Sequence, residues 1–229
     1  MTRVLGIDSA TLSAGIAVLD DDVVLGHAIH DTSERRSADL LVSIDALCTR
    51  LGVAPLSLDA VAIGAGPGSF TGLRIGMATA KGIAFAAGKP LWAVSSLAAL
   101  AFDAVGNMPA RSVVAVLDAR RGEVFAGCYR DGTLVGEERV MPPVELAPWA
   151  AALVPEAEFA GDALAVYPVL GPLTDRWLPV MTPSGVAVAT LALASPRVNV
   201  LTSGAPMYIR ASEAEIKYPD GVPGALRKR

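Results

Sequence analysis

The sequence predicts a two-lobed α/β protein whose second half repeats part of the first. Short buried strands and helical patterns alternate along the first half in the order βββαβαβα. A strand that ends in aspartate, followed by a turn and a hairpin, then recurs: Asp8 aligns with Asp118, and Asp21 aligns with Asp131. Because the two segments align without a gap, a duplication is favoured over a chance likeness between two β-meanders.

The elements of the first half follow from the period of its apolar residues. Uninterrupted apolar runs indicate buried strands, and apolar residues that recur with a period of about 3.6 indicate helices. Gly52 suits the end of the first helix, and Ser69 or Thr71 can cap the start of the second. The predicted strands cover residues 3–7, 13–19, 23–29, 58–64 and 89–94, and the predicted helices cover residues 38–51, 72–87 and 96–104.

The second half is less regular than the first. Pro142 and Pro143 interrupt the chain after the repeated hairpin, and Ser184 is a suitable helix cap. The predicted elements after the prolines are a helix over residues 145–152, a strand and turn over 158–162, a helix over 183–194 and an extended segment over 205–210.

Duplicated halves of this kind are the pattern of the ribonuclease-H-like fold of actin, sugar kinases and Hsp70. In that fold, two lobes face each other across a cleft. We therefore expect an N-terminal actin-like lobe over residues 1–104 and a degenerate C-terminal actin-like lobe over residues 105–229. The last segment of the chain is expected to pack back on the first lobe.

Composition narrows the classes of protein to which the chain can belong. Hydrophobic residues make up 52% of it, yet every apolar run ends well short of the ~20 residues that a membrane helix requires. The net charge of −4 provides no general basic surface for nucleic acid. The N-terminus enters a strand without a signal peptide, and Cys48 and Cys128 are expected to be buried free thiols. The sequence therefore predicts a cytoplasmic protein.

Residues for catalysis by metals or nucleophiles are scarce. The two histidines are His27 and His30, and the sequence contains no His-x-x-x-His pair and no cysteine cluster. A Ser-His-Asp or Cys-His arrangement is hard to build from so few histidines. We therefore predict no metal site and no catalytic residue.

Asp8, Ser9 and Thr11 form a candidate nucleotide site where the first strand ends. A carboxylate beside hydroxyls and backbone amides can hold a metal ion and a phosphate group. The same carboxylate can instead cap the hairpin by accepting hydrogen bonds from backbone amides. The sequence leaves both interpretations open.

A glycine-rich turn over residues 64–71 leads into a helix rich in small residues. The turn is not a Walker loop, because no Lys-Ser or Lys-Thr pair follows its glycines at the required distance. In the helix, Gly or Ala recurs every four residues, and each Gly costs about 1 kcal/mol relative to Ala. Close approach of a neighbouring backbone is the usual compensation, and that neighbour can belong to the same chain or to a second one. The recurring residues are Gly72, Gly76, Ala80 and Ala84.

Four segments together resemble the TsaB (YeaZ) family, glycoprotease-like proteins of tRNA threonylcarbamoyladenosine biosynthesis. The resemblance runs over most of the chain, and the segment at 66–76 is highly specific. The segments are Leu-Gly-Ile-Asp-Ser-Ala-Thr at 5–11, Gly-Pro-Gly-Ser-Phe-Thr-Gly-Leu-Arg-Ile-Gly at 66–76, Pro-Leu-Trp-Ala-Val-Ser at 90–95 and Pro-Met-Tyr-Ile-Arg at 206–210.

The resemblance implies a non-catalytic scaffold that activates TsaD, a metal-binding paralogue. TsaD transfers threonylcarbamoyl from its adenylate to adenosine 37 of tRNA. The resemblance further implies that the ATPase TsaE joins the complex and that the chain forms a homodimer when TsaD is absent. It implies indirect contact with tRNA and no cofactor of the chain's own, with ATP bound only in the complex.

The resemblance also places the partner surface on helices 38–51 and 72–87. Residues 33–39 contain no histidine, whereas TsaD carries its His-x-x-x-His pair there and many family members carry a histidine near residue 38. An ATP-binding or peptidase-type enzyme is the alternative function, and the scarcity of histidine argues against the peptidase. The residues expected at the partner surface are Leu40, Leu41, Ile44, Leu47, Gly72, Arg74, Ile75 and Gly76.

Overall fold

The computed structural model describes residues 1–31, 39–106 and 111–209. The first half has its helices and strands in the predicted order, the second half adds a strand at Arg139–Met141 and a short helix at Ala163–Val166 that were not predicted, and short 3₁₀ helices lie at Pro55–Ser57 and Pro168–Arg176. The elements are β1 (Arg3–Asp8), β2 (Ser13–Asp20), β3 (Val23–Asp31), α1 (Asp39–Leu51), β4 (Ala60–Gly64), α2 (Phe70–Ala87), β5 (Leu91–Val94), α3 (Ser96–Val105), β6 (Ser112–Arg120), β7 (Glu123–Arg130), β8 (Thr133–Leu134), β9 (Arg139–Met141), α4 (Pro143–Leu153), β10 (Glu158–Ala160), α5 (Ala163–Val166) and α6 (Gly185–Ala194).

Two sheets repeat one strand arrangement. The first sheet has the order β3-β2-β1-β4-β5, with β1 antiparallel to β2 and parallel to β4. The second has the order β10-β6-β7-β8, with β6 antiparallel to β7 and parallel to β10, and β9 also pairs with β7. The predicted duplicated ribonuclease-H-like fold with two lobes is therefore confirmed.

Helices cover both faces of each sheet. On the first sheet, α1 and α2 cover one face, and α3 and α6 cover the other. On the second sheet, α3 packs against one face, and α4, α5 and the 3₁₀ helix Pro168–Arg176 cover the other. Helix α3 packs against residues of both sheets, and α6 crosses back to the first sheet. These two helices therefore join the halves of the molecule. The lobe boundary between residues 104 and 105 stays a prediction.

Helix α6 approaches the first sheet through backbone contacts. A Cβ atom added to Gly6 would overlap the carbonyl oxygen of Gly185, and one added to Gly15 would lie 2.7 Å from the Gly185 nitrogen. Side chains at these three positions would hold the helix away from the sheet. At these positions the sheet and the helix therefore meet backbone to backbone, without an intervening side chain.

Most element ends agree with the sequence analysis. Helix α6 is capped by Ser184 as predicted, and α2 is capped by Ser69, whose Oγ accepts a hydrogen bond from the Gly72 nitrogen. Helix α4 begins two residues before its predicted start, because proline suits the first turn of a helix. Residues 33–38 and 210 of the predicted segments lie outside the described residues.

Within the described ranges, none of the helices has both the length and the apolar character needed to cross a bilayer.

Two glycines of α2 give a matched test of this packing. A Cβ at Gly76 would overlap Ser9 Oγ, whereas a Cβ at Gly82 would meet nothing within 4 Å. We expect Gly76→Ala to lower the free energy of unfolding by about 1–3 kcal/mol through overpacking. We expect Gly82→Ala to raise it by up to about 1 kcal/mol through helix propensity. Urea unfolding of both variants measures the difference, and equal effects would contradict the packing described for this helix.

Candidate functional site

Asp8 lies at the end of β1 in a fully buried position. Its Oδ2 accepts a hydrogen bond of 2.6 Å from Ser96 Oγ at the start of α3, and its Oδ1 accepts one of 2.8 Å from the Ala10 nitrogen. A Cβ atom added to Gly64 would overlap Oδ2, so β4 lies directly against the carboxylate. Asp8 therefore makes the backbone-capping bond that the sequence analysis left open, and it also joins β1 to α3.

Ser9 and Thr11 lie beside Asp8, and their hydroxyls also bond within the protein. Ser9 Oγ donates to the Gly72 carbonyl oxygen at 2.9 Å. Thr11 Oγ1 lies 2.7 Å from Thr182 Oγ1, which belongs to the second half of the chain. The fold thus brings the three candidate nucleotide residues together, with their side chains bonded to protein groups. Their role in nucleotide binding stays a prediction.

Burial controls the ionisation of the carboxylates around α3. Burial raises the pKa of Asp8 from 3.8 to about 6, against the opposing effect of the hydrogen bonds from Ser96 and Ala10. Burial also raises the pKa of Asp103, although its two oxygens accept hydrogen bonds from the nitrogen and the Oγ of Ser184. Both carboxylates therefore favour the protonated form more than they would in water.

Asp118, the repeat counterpart of Asp8, also forms internal bonds. Its Oδ1 accepts hydrogen bonds from Tyr167 Oη and the Arg120 nitrogen, each at 2.7 Å. Its Oδ2 forms an ion pair of 2.9 Å with the Arg120 guanidinium. The two strand-end aspartates are therefore both tied into the structure around them.

The structure places most of the predicted partner-surface residues against the chain's own core. Leu40, Ile44 and Leu47 are buried in the apolar cluster between α1 and the first sheet. Gly72 and Gly76 approach Ser9 so closely that a Cβ on either would overlap it. These five residues therefore pack within the first lobe. A second chain would contact the opposite sides of α1 and α2.

The opposite side of α2 is exposed, and we call it the outer stripe. Its residues are spaced by four, four, four and three positions, which places them on one side of a helix. The Phe85 side chain is 79% exposed and the Phe70 side chain 40%. The outer stripe consists of Phe70, Arg74, Ala78, Gly82 and Phe85.

Further apolar residues are exposed on α1. Leu41 is 55% exposed and Val42 is 64% exposed, and α1 contacts α2 on the same face of the first sheet. Of the predicted surface residues, Leu41 and Arg74 are thus exposed and Ile75 is partly buried. Val42, Phe70 and Phe85 are also exposed and were not among the predicted surface residues, although the spacing of the outer stripe is visible in the sequence.

Cys48 and Cys128 are buried free thiols, as predicted. Burial raises the pKa of Cys48, and it raises the pKa of Cys128 to about 12. Among residues 1–31, 39–106 and 111–209, no three His, Cys, Asp or Glu side chains are grouped to hold a metal ion.

Comparison with known proteins links the chain to tRNA modification proteins. The family model for TsaD, tRNA N6-adenosine threonylcarbamoyltransferase, matches residues 30–166. The chain is 31% identical over 228 residues to the tRNA threonylcarbamoyladenosine biosynthesis protein TsaB of Escherichia coli, an alignment that covers 95% of this chain and 98% of that protein. An uncharacterised protein of Mycobacterium leprae is 38% identical over 163 residues, which is 67% of this chain and 43% of the longer relative.

Two solved structures from Pseudomonas aeruginosa have the same fold. One is described as an uncharacterized protein with similarity to peptidase YEAZ. It is 32% identical with a TM-score of 0.77, and the match covers 92% of this chain and all of that one. The other, described as YeaZ, is 30% identical with a TM-score of 0.75, and the match covers 91% of this chain and all of that one.

The raised pKa of Asp8 predicts a specific pH dependence of stability. Because the folded state favours the protonated form, the carboxyl destabilises the protein as pH rises from about 4 to about 6. Asn keeps the shape without the charge, so Asp8→Asn should be more stable than wild type above pH 6, by up to about 3 kcal/mol. The difference should shrink to near zero at pH 4. Urea unfolding across this range tests it, and a difference that does not change with pH would refute it.

Proposed function

Because the chain belongs to the TsaB (YeaZ) family and therefore acts in tRNA threonylcarbamoyladenosine biosynthesis, we propose that it is a non-catalytic subunit that pairs with the transferase TsaD. The observation that supports pairing most directly is the outer stripe of α2. It exposes two phenylalanines on a long helix that has small residues between them. Exposed apolar faces of this kind mark contact sites between proteins.

Gly82 is a second indication that a partner binds at the outer stripe. Glycine in a helix costs about 1 kcal/mol relative to alanine. Gly76 gains close contact with Ser9 in return, but nothing lies within 4 Å of the Cβ position of Gly82. Close approach of a helix from another chain would use the open space at Gly82 and bury Phe85 beside it.

The polar residues at the end of β1 support the non-catalytic part of the proposal. Asp8, Ser9 and Thr11 are buried and bonded to protein groups. A substrate or nucleotide would have to displace those bonds to reach them. The alternative, an ATP-binding or peptidase-type enzyme, gains no support from this arrangement.

The proposal extends to the assembly around the chain. In the absence of TsaD, the outer stripe pairs two copies of the chain into a homodimer. TsaE joins the pair of TsaD and this chain, and tRNA is reached through TsaD in the cytoplasm. The chain has no cofactor of its own, and ATP enters only with the complex.

Replacing outer-stripe residues should weaken pairing with the cognate TsaD. We expect Phe85→Ala and Ala78→Arg each to raise the Kd of the complex by roughly 10-fold or more, because interface centres tolerate neither truncation nor a new charge. Val144 is also exposed but lies on α4 in the second lobe, so Val144→Ala is the matched control. Titration calorimetry with purified TsaD gives the three values. If both stripe variants bind TsaD with wild-type affinity, the outer stripe is not part of the interface.

The isolated chain should not turn over ATP. We expect titration of the purified chain with ATP and Mg²⁺, followed by a phosphate-release assay, to show no hydrolysis. Adding TsaD and TsaE to the same assay provides the positive control. Hydrolysis by the chain alone that is lost in Asp8→Asn would establish the enzymatic alternative.

A further inference from the structure

A cluster of three side chains fixes the orientation of Arg74 on the outer stripe. The Arg74 guanidinium lies over the Phe70 ring, with Cζ 3.7 Å from the ring centroid. Its Nε donates a hydrogen bond of 3.0 Å to Tyr208 Oη. The Phe70 and Tyr208 rings are in contact, with centroids 5.3 Å apart. The plane of the guanidinium is therefore set before any partner arrives.

The cluster joins two of the motifs that stand far apart in the sequence. Phe70 and Arg74 belong to the segment 66–76, and Tyr208 belongs to the segment 206–210. The Met207 nitrogen donates a hydrogen bond of 2.6 Å to the Ala65 carbonyl oxygen, which holds the later segment against the turn before α2. Phe70 and Tyr208 are about two-fifths exposed, so the cluster lies at the surface and contributes little to the core.

The two Nη atoms of Arg74 form no hydrogen bond with the residues that the structure describes. Only Nε takes part in a hydrogen bond there, and both Nη atoms lie on the far side of the guanidinium from Nε. A guanidinium presents two parallel N–H donors that match the two oxygens of a carboxylate. Because the aromatic rings already restrict its rotation, less conformational entropy is lost when such a bond forms.

We propose that Arg74 is the residue through which the chain recognises a carboxylate side chain of its partner protein, with Phe70 and Tyr208 as positioning residues. This inference rests on the pairing with TsaD proposed above. The charge of α2 favours an acidic partner, because the helix contains Arg74 and Lys81 and no acidic residue in a chain whose net charge is −4. The apolar neighbours Ala78 and Phe85 favour a protein over a nucleic acid, which would require several cations in a row.

The affinity for TsaD tests the role of Arg74. We expect Arg74→Ala to raise the Kd by about 10-fold or more. Arg74→Lys should recover little, because lysine keeps the charge but has no paired donors. Tyr208→Phe should raise the Kd by about threefold, because it removes only the hydroxyl that holds Nε. Arg139→Ala, an exposed arginine on β9 in the second lobe, is the matched control and should bind like wild type.

A charge exchange identifies the bonded group. Arg74→Glu should abolish binding, and one Asp→Lys or Glu→Lys variant among the surface residues of TsaD should restore it. Because Arg74 is exposed, its replacement should leave the fold intact, and urea unfolding of each variant checks this.

The outcomes separate this inference from the proposed function. If wild type does not bind TsaD, pairing itself is wrong. If wild type binds and both Arg74→Ala and Arg74→Lys bind with its affinity, the inference is overturned while pairing stands. If no TsaD variant restores binding to Arg74→Glu, the group that Arg74 binds is not a carboxylate, and the inference is wrong. Binding of tRNA by the chain alone that is lost in Arg74→Ala would assign the guanidinium to phosphate and also overturn it.

Discussion

Backbones approach one another closely around β1, and the positions of α2 and α6 follow from these contacts. On one face of the first sheet, Gly185 at the start of α6 meets Gly6 without an intervening side chain. At the end of the strand, Gly72 and Gly76 bring α2 against Ser9. Interiors are packed as densely as organic crystals, so a single added carbon at these positions would displace a helix. The contact with α6 also ties the second half of the chain to the first.

This crowding explains the state of the polar groups where β1 ends. Little space remains beside Asp8, and its carboxylate bonds to Ser96 at the start of α3. Asp103 near the other end of α3 bonds to Ser184 at the start of α6. The two buried carboxylates thus fix both ends of the helix that lies between the sheets. Each pairing gives a buried carboxylate the hydrogen bonds without which its burial would cost free energy. Each pairing also fixes the position of a strand end or a helix end.

The two sides of α2 have opposite roles. The inner side uses small residues to reach the sheet, and the outer stripe presents aromatic rings and Arg74 to the surface. A sequence pattern of glycine and alanine every four residues marks a helix that is approached closely, but it does not say from which side. The expected partner surface therefore includes inward-facing residues of α1 and α2, such as Gly76 and Ile44, whereas the exposed apolar residues of these helices include Phe85 and Val42.

Local patterns in the sequence were sufficient to predict most of the strands and helices, the duplication that aligns Asp8 with Asp118, the family, and the cap of α6 at Ser184. These features depend on local periodicity and on motifs, which are fixed by neighbouring residues. The hydrogen bond between Asp8 and Ser96, and the one between Arg74 and Tyr208 from the other end of the chain, could not be predicted before the fold was known. Such pairings depend on which elements become neighbours after folding, and residue spacing carries no information about contacts between distant segments.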